Sequence, residues 1–190
     1  MSAPRPRFRP GTALAVLALA LGTAAPVAAQ QGVLGEVVAV QKRAEFSLRG
    51  QPLRGLRAKM PLVREMRIVT FVDSDALMAY DHPRAMLFLG PETEFVMRPP
   101  SAAREYRCPD PELVERLADL EQARGELRLV RERARSECPL RVLTRVAVIV
   151  VVGTDLTVRV DPADGTTVVS VAEGAVEVYR RDPETGEPTG

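Results

Sequence analysis

The chain has 190 residues, with 26 basic and 25 acidic side chains and a formal charge of +1. That balance gives no electrostatic reason to bind nucleic acid or an anionic membrane. One histidine, two cysteines and no tryptophan leave little material for a metal centre, a nucleophile–base pair or a sugar-stacking platform.

Residues 1–29 read as a cleavable secretory signal peptide. Arg5, Arg7 and Arg9 form a basic start, an apolar run follows from Ala13 to Leu21, and Pro26 precedes the small residues Val27, Ala28 and Ala29. Cleavage is expected between Ala29 and Gln30. The run is shorter than the roughly 20 apolar residues that span a bilayer. No arginine pair points to the twin-arginine route, and no cysteine near the cleavage site points to a lipoprotein. The segment holds three arginines and no acidic residue, so the mature chain is slightly acidic. An uncleaved anchor is the alternative, and both readings place the remainder outside the cytoplasm.

Beyond the cleavage site the hydrophobic period becomes two. In the stretch 36–41, Val38 and Val40 are expected to share a face with Glu36 near the edge. Over 44–49, Ala44, Phe46 and Leu48 are expected inward and Glu45, Ser47 and Arg49 outward. Gly50-Gln51-Pro52 is a turn. Further strands are predicted at 67–70, 76–80, 85–89 and 94–97. The clusters Asp73-Ser74-Asp75, Asp81-His82-Pro83-Arg84 and Gly90-Pro91-Glu92 separate them as turns. Short strands at this spacing predict an all-β architecture.

Residues 110–124 break the rhythm. Asp110-Pro111-Glu112 fits a helix start, and Leu113, Leu117 and Leu120 recur at helical spacing beside Val114. A short helix is therefore predicted, stopped by Gly125 or continuing to about Ser136. Its apolar face would cap a sheet. Cys108 and Cys138 flank this segment and are the whole cysteine inventory. An even count in an exported chain predicts a disulfide, with free buried thiols as the alternative.

The last third is strongly β. Val146–Val152 is apolar throughout, as a strand buried on both faces would be, and Gly153 is expected to end it. Leu156–Val160 and Thr166–Val171 form a hairpin around Asp161–Gly165. Glu173-Gly174 is read as another turn, followed by a strand over 175–179. The tail 181–190 is expected to be flexible, a turn without a returning strand.

Four stretches together resemble the FecR domain family. They are Gly35–Val38; Met60–Thr70; Ser74–Ala76 with Leu87–Thr93; and Arg141–Thr144 leading to Gly153-Thr154-Asp155-Leu156 and then Val169–Val176. The resemblance covers about residues 33–180. It singles out Gly90, Pro91, Thr93, Gly153, Thr154, Glu173 and Gly174 as structural turn residues. The sequence departs from the family at Arg64-Glu65 (often Gly-Asp), at His82-Pro83-Arg84 (an Asp-Gly-Ser turn) and at Val152 (arginine).

The resemblance implies a mainly β, elongated antiparallel sandwich or solenoid-like domain over residues 30–180, located in the periplasm. It also implies a non-enzymatic module for protein interaction or envelope sensing. The family's transducers carry a cytoplasmic sigma-factor-binding domain. With ten residues ahead of the apolar run, a free periplasmic module is expected here, without a transmembrane anchor after processing. The expected partner is another envelope protein. A polysaccharide- or peptidoglycan-binding module is the alternative, weakened by a tyrosine inventory of only Tyr80, Tyr106 and Tyr179. No cofactor or metal is expected: Asp73 and Asp75 read as a turn rather than a calcium pair, and His82 as a turn tip. Gly32 and Gly35 make no phosphate loop.

Overall fold

The computed structural model describes residues 32–81, 84–100, 108, 116–131, 138–186 and 188–189. The signal peptide with its Ala29–Gln30 junction, His82, Tyr106 and the expected helix start at 110–112 lie outside the described residues. Among the described residues every regular element is a strand: β1 (Gly35–Gln41), β2 (Ala44–Leu48), β3 (Arg54–Gly55), β4 (Pro61–Leu62), β5 (Met66–Thr70), β6 (Asp75–Tyr80), β7 (Ala85–Leu89), β8 (Glu94–Arg98), β9 (Asp119–Arg131), β10 (Leu140–Leu143), β11 (Ala147–Val160), β12 (Thr167–Arg181) and β13 (Pro188–Thr189). The mainly β expectation is met.

Alternation drives these strands. In β6, Ala76, Met78 and Tyr80 are buried while Leu77 and Ala79 are less so; in β7, Ala85, Leu87 and Leu89 are buried. A half-buried strand needs that period of two. Tight turns join the short strands, and Lys42, Asp73 and Glu92 adopt left-handed backbone there.

The described strands form one mixed, branched sheet, with β9 and β10 parallel, where an antiparallel sandwich or solenoid-like domain was expected. One path runs β13-β12-β11-β10-β9-β7-β6-β1-β4, and a branch runs β9-β8-β5-β2-β3. The branch point is β9. Its first half pairs antiparallel with β8 and parallel with β10; its second half pairs with β7 and β11. Both wings feed one buried cluster. Ile68, Phe95 and Met97 come from the branch, and Met78, Leu87, Leu129 and Val158 from the main path.

The predicted helix over 110–124 is corrected, because residues 119–124 are the first half of β9 and the strand runs on to Arg131. The leucine spacing there is helical, but Leu117 precedes the strand and, within 110–124, only Leu120 lies on it. Buried positions alternate as Leu120 and Gln122, then Leu127, Leu129 and Arg131. The ladder with β8 skips Ala123, which shifts the parity between the two sets, and Gly125 follows at φ 86°. The Glu- and Arg-rich composition favours helix locally. Instead, those side chains form ion pairs to neighbouring strands, Arg98–Glu121, Arg124–Glu94 and Arg128–Asp155. Tertiary pairing overrides local propensity.

Three further expectations change. Gly153 does not end a strand, since β11 passes through it, and Glu173-Gly174 is not a turn, since β12 runs unbroken from Thr167 to Arg181. In β1 the register shifts between Val37 and Ala39, so Val37 is buried and Val38 is exposed instead of sharing a face with Val40. The tail does return: β13 pairs Thr189 with Arg180 and Pro188 with Arg181.

Candidate functional site

The turn residues singled out in the sequence fall into two clusters. The first is a knot beneath the β7–β8 turn. Thr93 is fully buried. Its amide donates to Thr70 Oγ1 at 2.9 Å, and Thr70 Oγ1 donates to the Gly90 carbonyl at 2.6 Å. Thr93 Oγ1 donates to the Glu126 carbonyl at 3.1 Å and accepts from the Glu126 amide at 2.9 Å. Gly125 lies against this side chain so closely that a Cβ there would sit 2.4 Å from Thr93 Oγ1 and 2.5 Å from its Cα. The cluster buries its polar groups only because each is hydrogen-bonded. It pins the switch point of β9 to the turn and holds no free reactive group. Pro91 is exposed and shapes the turn.

The second cluster is a pair of bulges, one on β11 and one on β12, separated by three ladder pairs. The ladder skips Val152 on β11 and Ala172 on β12, with Gly153 opposite Ala175, Thr154 opposite Gly174 and Asp155 opposite Glu173. Thr154 Oγ1 donates to the Ala175 carbonyl at 2.9 Å. Gly174, at φ 86°, comes so near β11 that a Cβ would meet the Gly153 carbonyl at 2.4 Å. A bulge bends and twists its ribbon, and here it also changes which residues face inward. On β12 the core-side residues are Thr167, Val169 and Val171 before the bulge, then Gly174, Val176 and Val178 after it, as their β11 partners show.

β12 is the outermost long strand. Among the described residues only β13 lies beyond it, at Arg180 and Arg181. From Thr167 to Tyr179 the outer row of backbone N–H and C=O groups faces no further strand. Its core-side valines overhang: Val169 and Val176 pack against the core, while Val171 is 42% and Val178 54% exposed. Val168, on the outer face, is 53% exposed. An extended strand with apolar side chains on one face would find both its hydrogen-bond partners and its pockets here.

The electrostatics elsewhere are committed. Glu121 receives Arg98 at 2.7 Å and Arg181 at 3.1 Å. Burial alone would raise its carboxyl pKa, but these two hydrogen bonds outweigh burial and hold it below the usual range. Asp155 is likewise lowered, chiefly by its hydrogen bond from Arg128. A cleft of about 410 Å³ beside the knot is lined by Glu92, Arg124, Glu126, Arg159 and Val168 among others. Its two arginines are engaged by Glu94 and Glu126, so it presents no uncommitted cation to a ligand.

A buried polar group sits where β9 begins. The Ala118 amide donates to Tyr80 Oη at 2.7 Å, and burial pushes the Tyr80 phenol well above its ordinary pKa. Asp119 lies 3.8 Å from Arg141, both almost fully buried. Arg131 donates to the carbonyls of Val151 at 2.6 Å and Cys138 at 2.7 Å. Cys138 forms the expected disulfide with Cys108 and packs on Leu117. These groups fasten the disulfide to the sheet. Asp73, in a left-handed turn, pairs with Lys42 at 3.4 Å, and no group of metal-ligating side chains occurs among the described residues.

Sequence reasoning passed over Thr70, Gly125, Arg131 and the Asp119–Arg141 pair. Only Gly125 left a signal, as a glycine between two strand-like stretches, and the helical reading absorbed it. Residues 85–177 match the sequence profile of the family described as FecR protein. That span runs from β7 into β12 and contains the turn residues of both clusters, while Thr70 lies before it. No curated protein and no solved structure matches the chain.

Proposed function

Since residues 85–177 of this chain constitute a FecR-family domain, we propose that the protein is a non-enzymatic module of the bacterial envelope. It is exported to the periplasm after cleavage at Ala29–Gln30 and docks protein partners by strand addition at β12. The single observation that carries this reading is the open edge of β12, with its overhanging core-side valines. Strand addition supplies main-chain hydrogen bonds for affinity and alternate side-chain pockets for specificity. The family is a regulatory one, which fits a docking role better than chemistry. The Cys108–Cys138 disulfide supports an oxidising compartment. A glycan-binding role finds less support, because Tyr80 is buried in the core and Tyr179 donates to Glu177 along its own strand.

The test is site-specific photocrosslinking in the periplasm from Ser170, an exposed outer-face residue of β12, with exposed Val72 in a distant loop as control. Protein adducts from Ser170 and none from Val72 are expected. Retention on polysaccharide or peptidoglycan with no protein adduct from Ser170 overturns the reading. Mass spectrometry of the periplasmic protein is expected to show Gln30 as the first residue; an intact Met1 terminus overturns the cleavage.

A further inference from the structure

We propose that the strand added to β12 is β12 of a second copy, running antiparallel across a two-fold axis. This rests on the strand-addition reading and names its occupant. The first observation is that, among the described residues, β12 is a long uncovered edge with few of the usual defences. Natural sheet edges are usually blunted by short length, charged side chains (lysine above all), proline, a bulge or a covering element, and of these β12 has a bulge at Ala172 and the two glutamates Glu173 and Glu177. From Thr167 to Tyr179 β12 contains neither lysine nor proline. Of the edge strands, β3, β4 and β13 have two residues each, whereas β12 has fifteen.

The second observation is the symmetry of its core-side residues about the peptide between Glu173 and Gly174. An antiparallel pairing centred there sets Val171 against Val176 and Val169 against Val178 of the other copy, and the same pairs recur on the other side of the axis. On the outer face it sets Val168 against Tyr179 and Ser170 against Glu177. An aromatic against a β-branched residue is a favourable cross-strand pair, and no like charges stand directly opposed.

A regular strand could not achieve this register. Inward residues before the bulge carry odd numbers and those after it even numbers, because Ala172 is the extra residue. In an antiparallel pair centred on a peptide bond, odd positions meet even ones. Without the bulge, core-side residues would meet outer-face residues. With it, core side meets core side along both arms, and because each strand carries one extra residue the two counts agree, with Ala172 opposite Ala175 near the axis. The segment from Val168 to Tyr179 also fits the available edge, which is bounded by the 161–166 turn and by β13. The result is an isologous contact, the self-complementary kind that closes a dimer, with the exposed Val171 and Val178 side chains of both copies continuing one apolar layer.

The experiment uses the exported protein purified from the periplasm with its disulfide intact. Sedimentation is expected to give twice the chain mass, falling two-fold for Val171→Lys while circular dichroism and the melting cooperativity stay unchanged. If Val171→Lys does not fold, a cysteine pair carries the test. Val169→Cys with Val178→Cys should form an intermolecular disulfide, while Val171→Cys with Val178→Cys, one register out, should not. A monomeric wild-type protein overturns self-pairing, as does equal crosslinking of both cysteine pairs. A monomer that still gives photocrosslinks from Ser170 to a different protein overturns the second copy alone and leaves strand addition standing.

Discussion

Single residues carry two sharp expectations. Gly125 combines a left-handed backbone with contact against Thr93. Gly125→Ala should therefore cost about 2–4 kcal/mol through backbone strain plus overlap with a buried neighbour, read as a lower urea midpoint with an unchanged slope. Glu121 governs part of the acid limb. Its folded pKa lies below the unfolded value because Arg98 and Arg181 together outweigh burial. Its stabilising contribution is thus fully present above the unfolded carboxylate pKa near ~4.3 and is lost as pH falls through the folded value. Glu121→Gln should lower stability at neutral pH and flatten that part of the acid limb, measured by urea titrations from pH 7 to pH 3. The cysteine count made Cys108–Cys138 legible in advance. The role of Thr93 was not: the sequence marks a turn there, but the two strands that supply its partners, Thr70 and Glu126, lie 23 and 33 residues away.

At the scale of elements, alternation read well where one face is buried and the turn is tight, as in β6, β7 and β8. It failed where a bulge changes parity inside a strand. Gly125, Gly153 and Gly174 each looked like a terminator, and each permits a long strand to continue. A glycine that stops one strand and a glycine that kinks it leave the same local signature; the long-range partner decides. The helix predicted at 110–124 failed for another reason: its leucines have helical spacing, but Leu117 lies before β9, and the pairing of Leu127 and Leu129 with β7 carries the segment into the sheet. The disulfide belongs to this scale because it fastens the entry of β10 to Cys108. It closes a separation of 30 residues, for which loop entropy gives about 3–4 kcal/mol. Reduction, or Cys108→Ser with Cys138→Ser, should lower the unfolding free energy by about that amount in equilibrium denaturation with and without reductant.

For the whole molecule, the mainly β class was legible from composition and spacing, and the branching of the sheet was not. Branching depends on one strand having different neighbours along its length, which no local period encodes. Because β9 belongs to both wings and both line the same buried cluster, the wings should not melt separately. Calorimetry is expected to give one transition whose calorimetric and van't Hoff enthalpies agree.

The two-sided pairing of β9 also sets an order of events in time. Strands β7 and β8 are made before it, while β10 and β11 come after it. The first eight strands cannot finish their sheet until residue 131 is available, and the last strands, which can pair with one another, have no sheet to join until β9 has docked. Folding therefore waits on contacts between distant parts of the chain, the condition that makes β proteins slow. A chain delivered from its N-terminus would hold its early strands open through that wait and close around β9 in one late step.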